Sequence, residues 1–253
     1  MKYLNKFVFI GMLGLIAIGC NNDEEDVHDP VEQAIIDDEA IVSYLQSHYY
    51  DDSEMEIDSI TDGQTSLYDD PRMIVDNVNQ NDIDYKLYVL QLEAGGDDTL
   101  AESPETGENI SPSTVDSVFT KYTGFLMSTG YEFDSNDNIW FRLDEVVKGW
   151  AYGYTHFTSG FNTSVVDQPL SFEKTGHGYL FIPSGLGYGN NFVNSIPENA
   201  NLAFEIELKL AFWRDHDGDG TLSKDEDVNG DRDLTDDDTD GDGIPDYVDP
   251  DNP

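Results

Sequence analysis

Between Asp82 and Trp213 aromatic and β-branched runs alternate with Gly, Asn, Asp and Pro, the pattern of short strands punctuated by turns. The runs fall at Tyr85–Leu92, Ser117–Leu126, Ile139–Leu143, Gly178–Ile182 and Asn201–Trp213, and one helix is expected near Trp150–Phe157. Many strands with a single short helix predict an antiparallel α+β fold. Gly95–Ser111, rich in Gly, Ser, Thr and Glu, reads as a surface loop. Upstream, Ile35, Ile36, Ile41, Val42, Leu45 and Tyr49 recur at roughly helical spacing within Val31–Tyr49, which predicts an amphipathic helix that packs on the main domain.

The two ends of the chain break this pattern. Met1–Cys20 carries Lys2 and Lys6, an apolar run from Phe7 to Ile18, and then Ala17-Ile18-Gly19-Cys20. The apolar run falls short of the ~20 residues that span a bilayer. The segment resembles a bacterial lipoprotein signal, which implies cleavage before Cys20, acylation of that residue, and membrane contact through the lipid alone. Asn21-Asn22-Asp23-Glu24-Glu25-Asp26 resembles the acidic export signal of some Bacteroidetes lipoproteins, which implies an outer-membrane location with surface exposure. The organisation expected is a signal peptide over 1–19, an acidic spacer with a short helix over 20–81, a core-forming domain over 82–213, and an acidic tail over 214–253.

Charge narrows the function classes. The chain has 253 residues, with 53 Asp plus Glu against 12 Lys plus Arg, a formal charge of −41. Such a polyanion is repelled by phosphate backbones, so nucleic acid is excluded as a partner. With Cys20 as the only cysteine, an intramolecular disulfide, a Cys-rich zinc site and a CxxC redox centre are impossible. No Ser-His-Asp triad or Walker loop is present, and Gly185-Leu186-Gly187-Tyr188-Gly189 lacks the spacing of a dinucleotide fingerprint. What remains is an excess of Tyr, Phe and Trp beside few polar groups, which suits an apolar pocket that recognises an apolar segment.

Five strings in order carry a more specific resemblance: Tyr122-Thr123-Gly124; Phe133-Asp134-Ser135; Glu145-Val146-Val147-Lys148-Gly149-Trp150; Ile182-Pro183-Ser184-Gly185-Leu186-Gly187-Tyr188-Gly189; and Ile196-Pro197-Glu198-Asn199-Ala200-Asn201-Leu202-Ala203-Phe204. Together they resemble the FKBP-type peptidyl-prolyl isomerases, which implies an antiparallel sheet wrapped around one short helix and proline-containing polypeptides as clients. The resemblance implies that Trp150 forms the floor under the proline ring and that Tyr122, Phe133, Val146, Val147, Ile196 and Phe204 form the walls. It implies further that the Tyr188 hydroxyl and the Val147 N–H hold substrate carbonyls, and that the Asp134 carboxylate faces the twisted amide. The chain departs from the family pattern in three places. No Arg closely follows Phe133-Asp134, Thr158–Thr175 reads as an inserted loop, and Asn190–Ser195 differs from common members. The same residues also fit a non-catalytic module that binds proline segments, and the tail alone would fit a calcium-dependent surface interaction protein.

The tail repeats one loop. Asp215-His216-Asp217-Gly218-Asp219-Gly220-Thr221-Leu222-Ser223-Lys224-Asp225-Glu226 fits the twelve-residue EF-hand pattern, with oxygen ligands expected from Asp215, Asp217, Asp219, the Thr221 carbonyl, Ser223 and Glu226. A second match begins at Asp238, with Asp240, Asp242, the Ile244 carbonyl, Asp246 and Asp249 at ligand spacing, and it resembles a type-3 thrombospondin repeat. Hard oxygen donors select Ca²⁺ over transition metals. Asp227, Asn229 and Asp231 repeat the spacing between them, but Arg232 stands where the loop needs glycine, so binding is expected in the first and last loops.

Overall fold

The computed structural model describes residues 29–251; Cys20, the signal segment before it and Asn21–Asp26 lie outside the described residues. The chain begins with helix α1 (Pro30–Ser47) and a hairpin of β1 (His48–Asp51) and β2 (Glu56–Ser59). Then come β3 (Met73–Gln80), β4 (Ile83–Glu93), β5 (Ser117–Leu126) and β6 (Tyr131–Arg142), followed by α2 (Lys148–Tyr154). A small hairpin of β7 (Phe161–Asn162) and β8 (Phe172–Glu173) precedes β9 (Gly176–Ile182) and β10 (Leu202–Phe212). The main sheet has six antiparallel strands in the order β3-β4-β9-β10-β5-β6. The fold is thus α+β, an antiparallel sheet around one short central helix. No helix among the described residues is long and apolar enough to cross a membrane.

Alternation along the strands sends side chains to two separate cores. Leu87 and Val89 of β4, Leu180 and Ile182 of β9, and Phe204 and Ile206 of β10 face α2 and enclose Trp150 and Tyr154. Tyr88 and Leu90, Tyr179 and Phe181, and Ala203 point the other way and are covered by Ile41 and Leu45 of α1. Contact between α2 and the sheet is close. A Cβ on Gly149 would stand 2.3 Å from Ile182 Cγ2, so Gly149→Ala is expected to lose about 1–3 kcal/mol by overpacking. An unchanged urea midpoint would show instead that the helix can back away.

Asp29 caps α1 by accepting from Val31 N–H at 2.9 Å, and proline takes the first helical position. Its buried stripe differs from the expected one. Ile35 and Ile36 are 58% and 51% exposed, whereas Asp37 is 1% exposed alongside Ile41 and Leu45. Asp37 Oδ2 accepts from the Ser184 backbone N–H at 2.8 Å and from the Ser184 hydroxyl at 2.6 Å, while Oδ1 accepts from Gln33. The helix is therefore stitched to the loop that follows β9.

The boundary expected at residues 81 and 82 falls inside a hairpin, because Met73–Gln80 pairs along its length with β4. This strand is an edge with Asp76, Asn77, Asn79 and Gln80 among its residues, so no apolar alternation announced it. Strand β6 is likewise longer than the expected Ile139–Leu143. Its first half is mostly exposed and polar, held by main-chain pairing with β5, by the Phe133 ring against Phe204 and by the Tyr122 hydroxyl on Asp134. The inserted stretch Thr158–Thr175 carries the β7–β8 hairpin.

The tail does not hang free. Arg232 spans Asp76 of β3 with two bonds of 2.9 and 2.8 Å and lies 5.1 Å over the Tyr152 ring of α2. Its own carbonyl accepts from Thr114, and Leu234 is buried beside it. The residue that breaks the loop pattern in sequence is thus the tail's main bond to the domain.

Candidate active site

The N-terminus of α2 opens into a cavity of about 470 Å³. Trp150 forms its base, 4% exposed, with four rings set edge-on around the indole. Tyr122, Phe141 and Phe204 approach it at centroid distances of 4.9, 5.1 and 5.1 Å with interplanar angles of 77°, 83° and 80°. Such edge-to-face packing sets positive ring edges against a negative ring face and leaves the floor rigid. The indole Nε1 is buried without a hydrogen-bond partner.

Phe133 completes the wall by standing at 89° to Phe204, 5.5 Å away. The two rings can meet there because residue 124 is glycine: a Cβ would lie 2.6 Å from Phe204 and 2.7 Å from Phe133. The polar edge is small. Tyr122 donates its hydroxyl to Asp134 Oδ2 at 2.6 Å, and burial together with that bond raises the phenol well above its ordinary range. Burial and the nearby Asp134 charge also raise Tyr188. Tyr122 thus supplies the bond to Asp134 that no closely following Arg provides, since Arg142 turns to Asp144 and Glu145.

Tyr188 reaches the cavity from a tight loop. The Ser184 carbonyl accepts from both Gly187 and Gly189, at 2.9 and 2.8 Å, and so fixes the backbone on either side of the tyrosine. Val147 caps α2, and its carbonyl accepts from Trp150 and Ala151. Of the residues expected at the pocket, Tyr122, Phe133, Asp134, Val146, Val147, Trp150, Tyr188 and Phe204 line it together. Ile196 does not line it. It exchanges two backbone bonds with Val193, and its side chain is buried in the core. Phe141, Glu145, Lys148 and Gly187 line the cavity and were not anticipated; Phe141 could have been found as an aromatic within an expected strand.

A larger groove of about 630 Å³ adjoins this cavity and shares Phe141, Glu145 and Val146 with it. Its own tryptophan, Trp140, is open to solvent, whereas Trp150 is buried and held by four rings, so the smaller cavity is the candidate active site.

The tail brings carboxylates together in two places. Carboxylate oxygens of Asp215, Asp217 and Asp219 lie within 4.8 Å of one another, as do those of Asp238, Asp240 and Asp242. Asp215 accepts from Gly218 and Gly220, and Asp238 accepts from Gly241 and Gly243 in the same register. Gly220 and Gly243 hold φ of +103° and +95°, and Arg232 holds +73° at the matching place. Glu226 is buried beside the first cluster with neither carboxylate oxygen hydrogen-bonded. Burial first, then the charges of Asp217, Asp219 and Asp215, push its carboxyl up to about 7. The Ser223 hydroxyl, expected as a ligand, is instead engaged by His216 Nδ1 at 2.8 Å and by the His216 N–H. Asp246 is similarly held by Thr239, which donates its N–H and hydroxyl to the two carboxylate oxygens.

Comparison with known proteins adds a family. Residues 108–209 match the family model of FKBP-type peptidyl-prolyl cis-trans isomerases. FKBP-type peptidyl-prolyl cis-trans isomerase FkpA of Escherichia coli K12 is 33% identical over 108 residues, 41% of this chain and 34% of that protein. FK506-binding protein 2 of Kluyveromyces lactis is 36% identical over 104 residues, 39% of this chain and 65% of that protein. The crystal structure of FkpA from Escherichia coli aligns with a TM-score of 0.37 at 30% identity, covering 50% of this chain and 48% of that one. The chain spans about a third of the length of the first curated relatives it matches. Helix α1, strands β1–β4 and the tail from Asp215 lie outside the family match.

Proposed function

We propose that this chain, which carries an FKBP-type peptidyl-prolyl isomerase domain, rotates X-Pro bonds of exported polypeptides in its aromatic cavity. The observation that carries the reading is the Trp150 floor held edge-on by Tyr122, Phe141 and Phe204 beside the paired Tyr122 and Asp134. Rotation about an amide is opposed by ~18–20 kcal/mol of resonance. At the twisted transition state that resonance is lost and the C–N bond is less polar, so a dry aromatic wall favours it over the planar, better solvated ground state. Lowering the barrier by about 5–7 kcal/mol accelerates rotation roughly ten-thousandfold or more. No bond is broken, so neither a nucleophile nor an acid-base pair is needed. Trp150 seats the proline ring, the Tyr188 hydroxyl and the Val147 N–H hold flanking carbonyls, and Asp134 faces the twisting amide.

A protease-coupled assay on an Ala-Pro peptide tests this. The wild-type chain should shorten the slow phase, and a Trp150→Ala/Tyr188→Phe variant should not. Equal rates from the two would sink the catalytic reading, and saturable binding without faster exchange would leave a proline-segment binding module in its place.

The tail fits Ca²⁺. A buried Glu226 carboxylate with both oxygens unbonded, facing three aspartates, is costly unless a cation sits among them. Asp215, Asp217, Asp219 and Glu226 would hold the ion in the first loop, and Asp238, Asp240, Asp242 and Asp249 in the last. With affinities of ~10⁻⁴–10⁻³ M typical of extracellular sites, 10 mM ion would stabilise the fold by about 1.4–2.7 kcal/mol per site. Calorimetric titration of the full chain should show binding, and Asp219→Ala should remove the first site; a Tm indifferent to both Ca²⁺ and chelator would refute the assignment.

Anchoring through an acylated Cys20 at the cell envelope completes the proposal, with partition of the wild-type chain into detergent and of Cys20→Ser into buffer as its expected signature.

A further inference from the structure

The groove beside the proline cavity is lined by Trp140, Phe212, Arg142 and Arg214 and shares a wall with that cavity at Phe141, Glu145 and Val146. We infer that it is a second subsite for the same client chain, reading an acidic side chain close to the proline. This rests on the isomerase reading and adds a substrate preference to it.

Three observations carry the inference. First, the two cavities adjoin, with Phe141, Glu145 and Val146 lining both, so a chain with its proline on Trp150 that passes over Val146 reaches the groove within a residue or two. At about 630 Å³ the groove is in the size range of binding sites that enclose whole ligands.

Second, its floor is an aromatic platform left open. Trp140 is 45% exposed and lies 5.5 Å from Phe212 at an interplanar angle of 37°. Large exposed aromatics of this kind mark places where another chain is received.

Third, the charges in the groove are unevenly committed. The Arg142 guanidinium bonds Asp144 at 2.5 Å and Glu145 at 3.0 Å, so these three groups satisfy one another. Arg214 is held only through its backbone, its N–H donating to Asp116 and its carbonyl accepting from Ser223, and its guanidinium has no hydrogen bond or ion pair among the described residues. In a chain with 53 acidic and 12 basic side chains, a guanidinium left unpaired at the rim of an aromatic groove is conspicuous. Its planar fork matches a carboxylate, so the complementary ligand is a Glu or Asp side chain.

The test uses paired peptides around one Ala-Pro bond that carry Glu or its neutral isostere Gln two positions before or two positions after the proline. Exchange rates are read by two-dimensional NMR and affinities by calorimetry on the full chain. In one of the two positions Glu should raise kcat/KM over Gln by about three- to fivefold, the range of a partly exposed ion pair. The advantage should vanish in 1 M salt and in Arg214→Gln. Catalysis with equal rates for Glu and Gln at both positions, or a Glu preference that survives Arg214→Gln, overturns the subsite and leaves the isomerase reading intact. If no peptide is turned over, the isomerase reading fails, and the affinities decide the groove: tighter binding of Glu that is lost in Arg214→Gln supports it, and equal affinity overturns it.

Discussion

Trp150→Ala should cost about 3–5 kcal/mol of stability and lower kcat/KM for prolyl rotation by about a hundredfold, the largest loss expected from a single change in this chain. The stability loss follows from burial. The indole is 4% exposed and touches four rings, so its removal leaves a void that Tyr122, Phe141 and Phe204, each fixed in its own strand, are poorly placed to fill. The catalytic loss follows from water entering that void and resolvating the planar amide. Urea denaturation measures the first effect, and the coupled assay, run far below the unfolding midpoint, measures the second. Trp150→Phe separates them, because it restores an apolar floor. It should recover most of the rate while stability recovers only in part. A Trp150→Ala chain that stays folded and turns over at the wild-type rate would remove the floor from the mechanism.

Asp37→Ala is expected to have the second-largest effect, although Asp37 lies in α1 and lines no part of the cavity. Its removal leaves the buried Ser184 hydroxyl without its acceptor, at about 1–3 kcal/mol, and the Ser184 N–H with only its longer bond of 3.2 Å to Asn201 Oδ1. The same serine accepts from Gly187 and Gly189 through its carbonyl, so slackness there reaches Tyr188 directly. The expected result is a lower urea midpoint together with a KM that rises more than kcat falls, since Tyr188 is proposed to hold substrate and breaks no bond. Asp37→Asn keeps an oxygen acceptor for Ser184 and should restore much of both. If Asp37→Ala loses stability while its kinetics remain wild-type, the helix is a cover for the sheet and has no hold on the tyrosine.

The sequence was most legible where apolar residues alternate and least so at the margins of the sheet. Strands β4, β5, β9 and β10 are buried on one or both faces, and their runs of Leu, Val, Phe and Tyr stand out. Strands β3 and β6 are edges whose polar outer faces read as loop, so Met73–Gln80 fell on the wrong side of a domain boundary. In α1 the apolar spacing located the helix but pointed to Ile35 and Ile36, because a buried aspartate looks polar until its partner Ser184 is seen. The cavity was legible through short motifs, which a family resemblance assembled into one site. Ile196 sits in such a motif and yet packs in the core, while Phe141 sits in none and lines the wall. In the tail, residue type alone suggested the loops. The left-handed backbone of Arg232 and its double bond to Asp76 need coordinates, since nothing local in the sequence pairs two residues that far apart.

That separation also sets the order in which the molecule can be completed. Asp37 meets Ser184 across 147 positions, and Arg232 meets Asp76 across 156. Ring closures this long spend chain entropy well before any contact compensates for it, and they slow folding. During synthesis from the N-terminus, α1 and the Tyr88–Leu90 face of β4 emerge early and wait for Tyr179 and Phe181 of β9 before their core can close. Until then Ile41, Leu45, Tyr88 and Leu90 are open to non-native partners, and that interval, rather than the finished fold, is when the nascent chain is most exposed to aggregation.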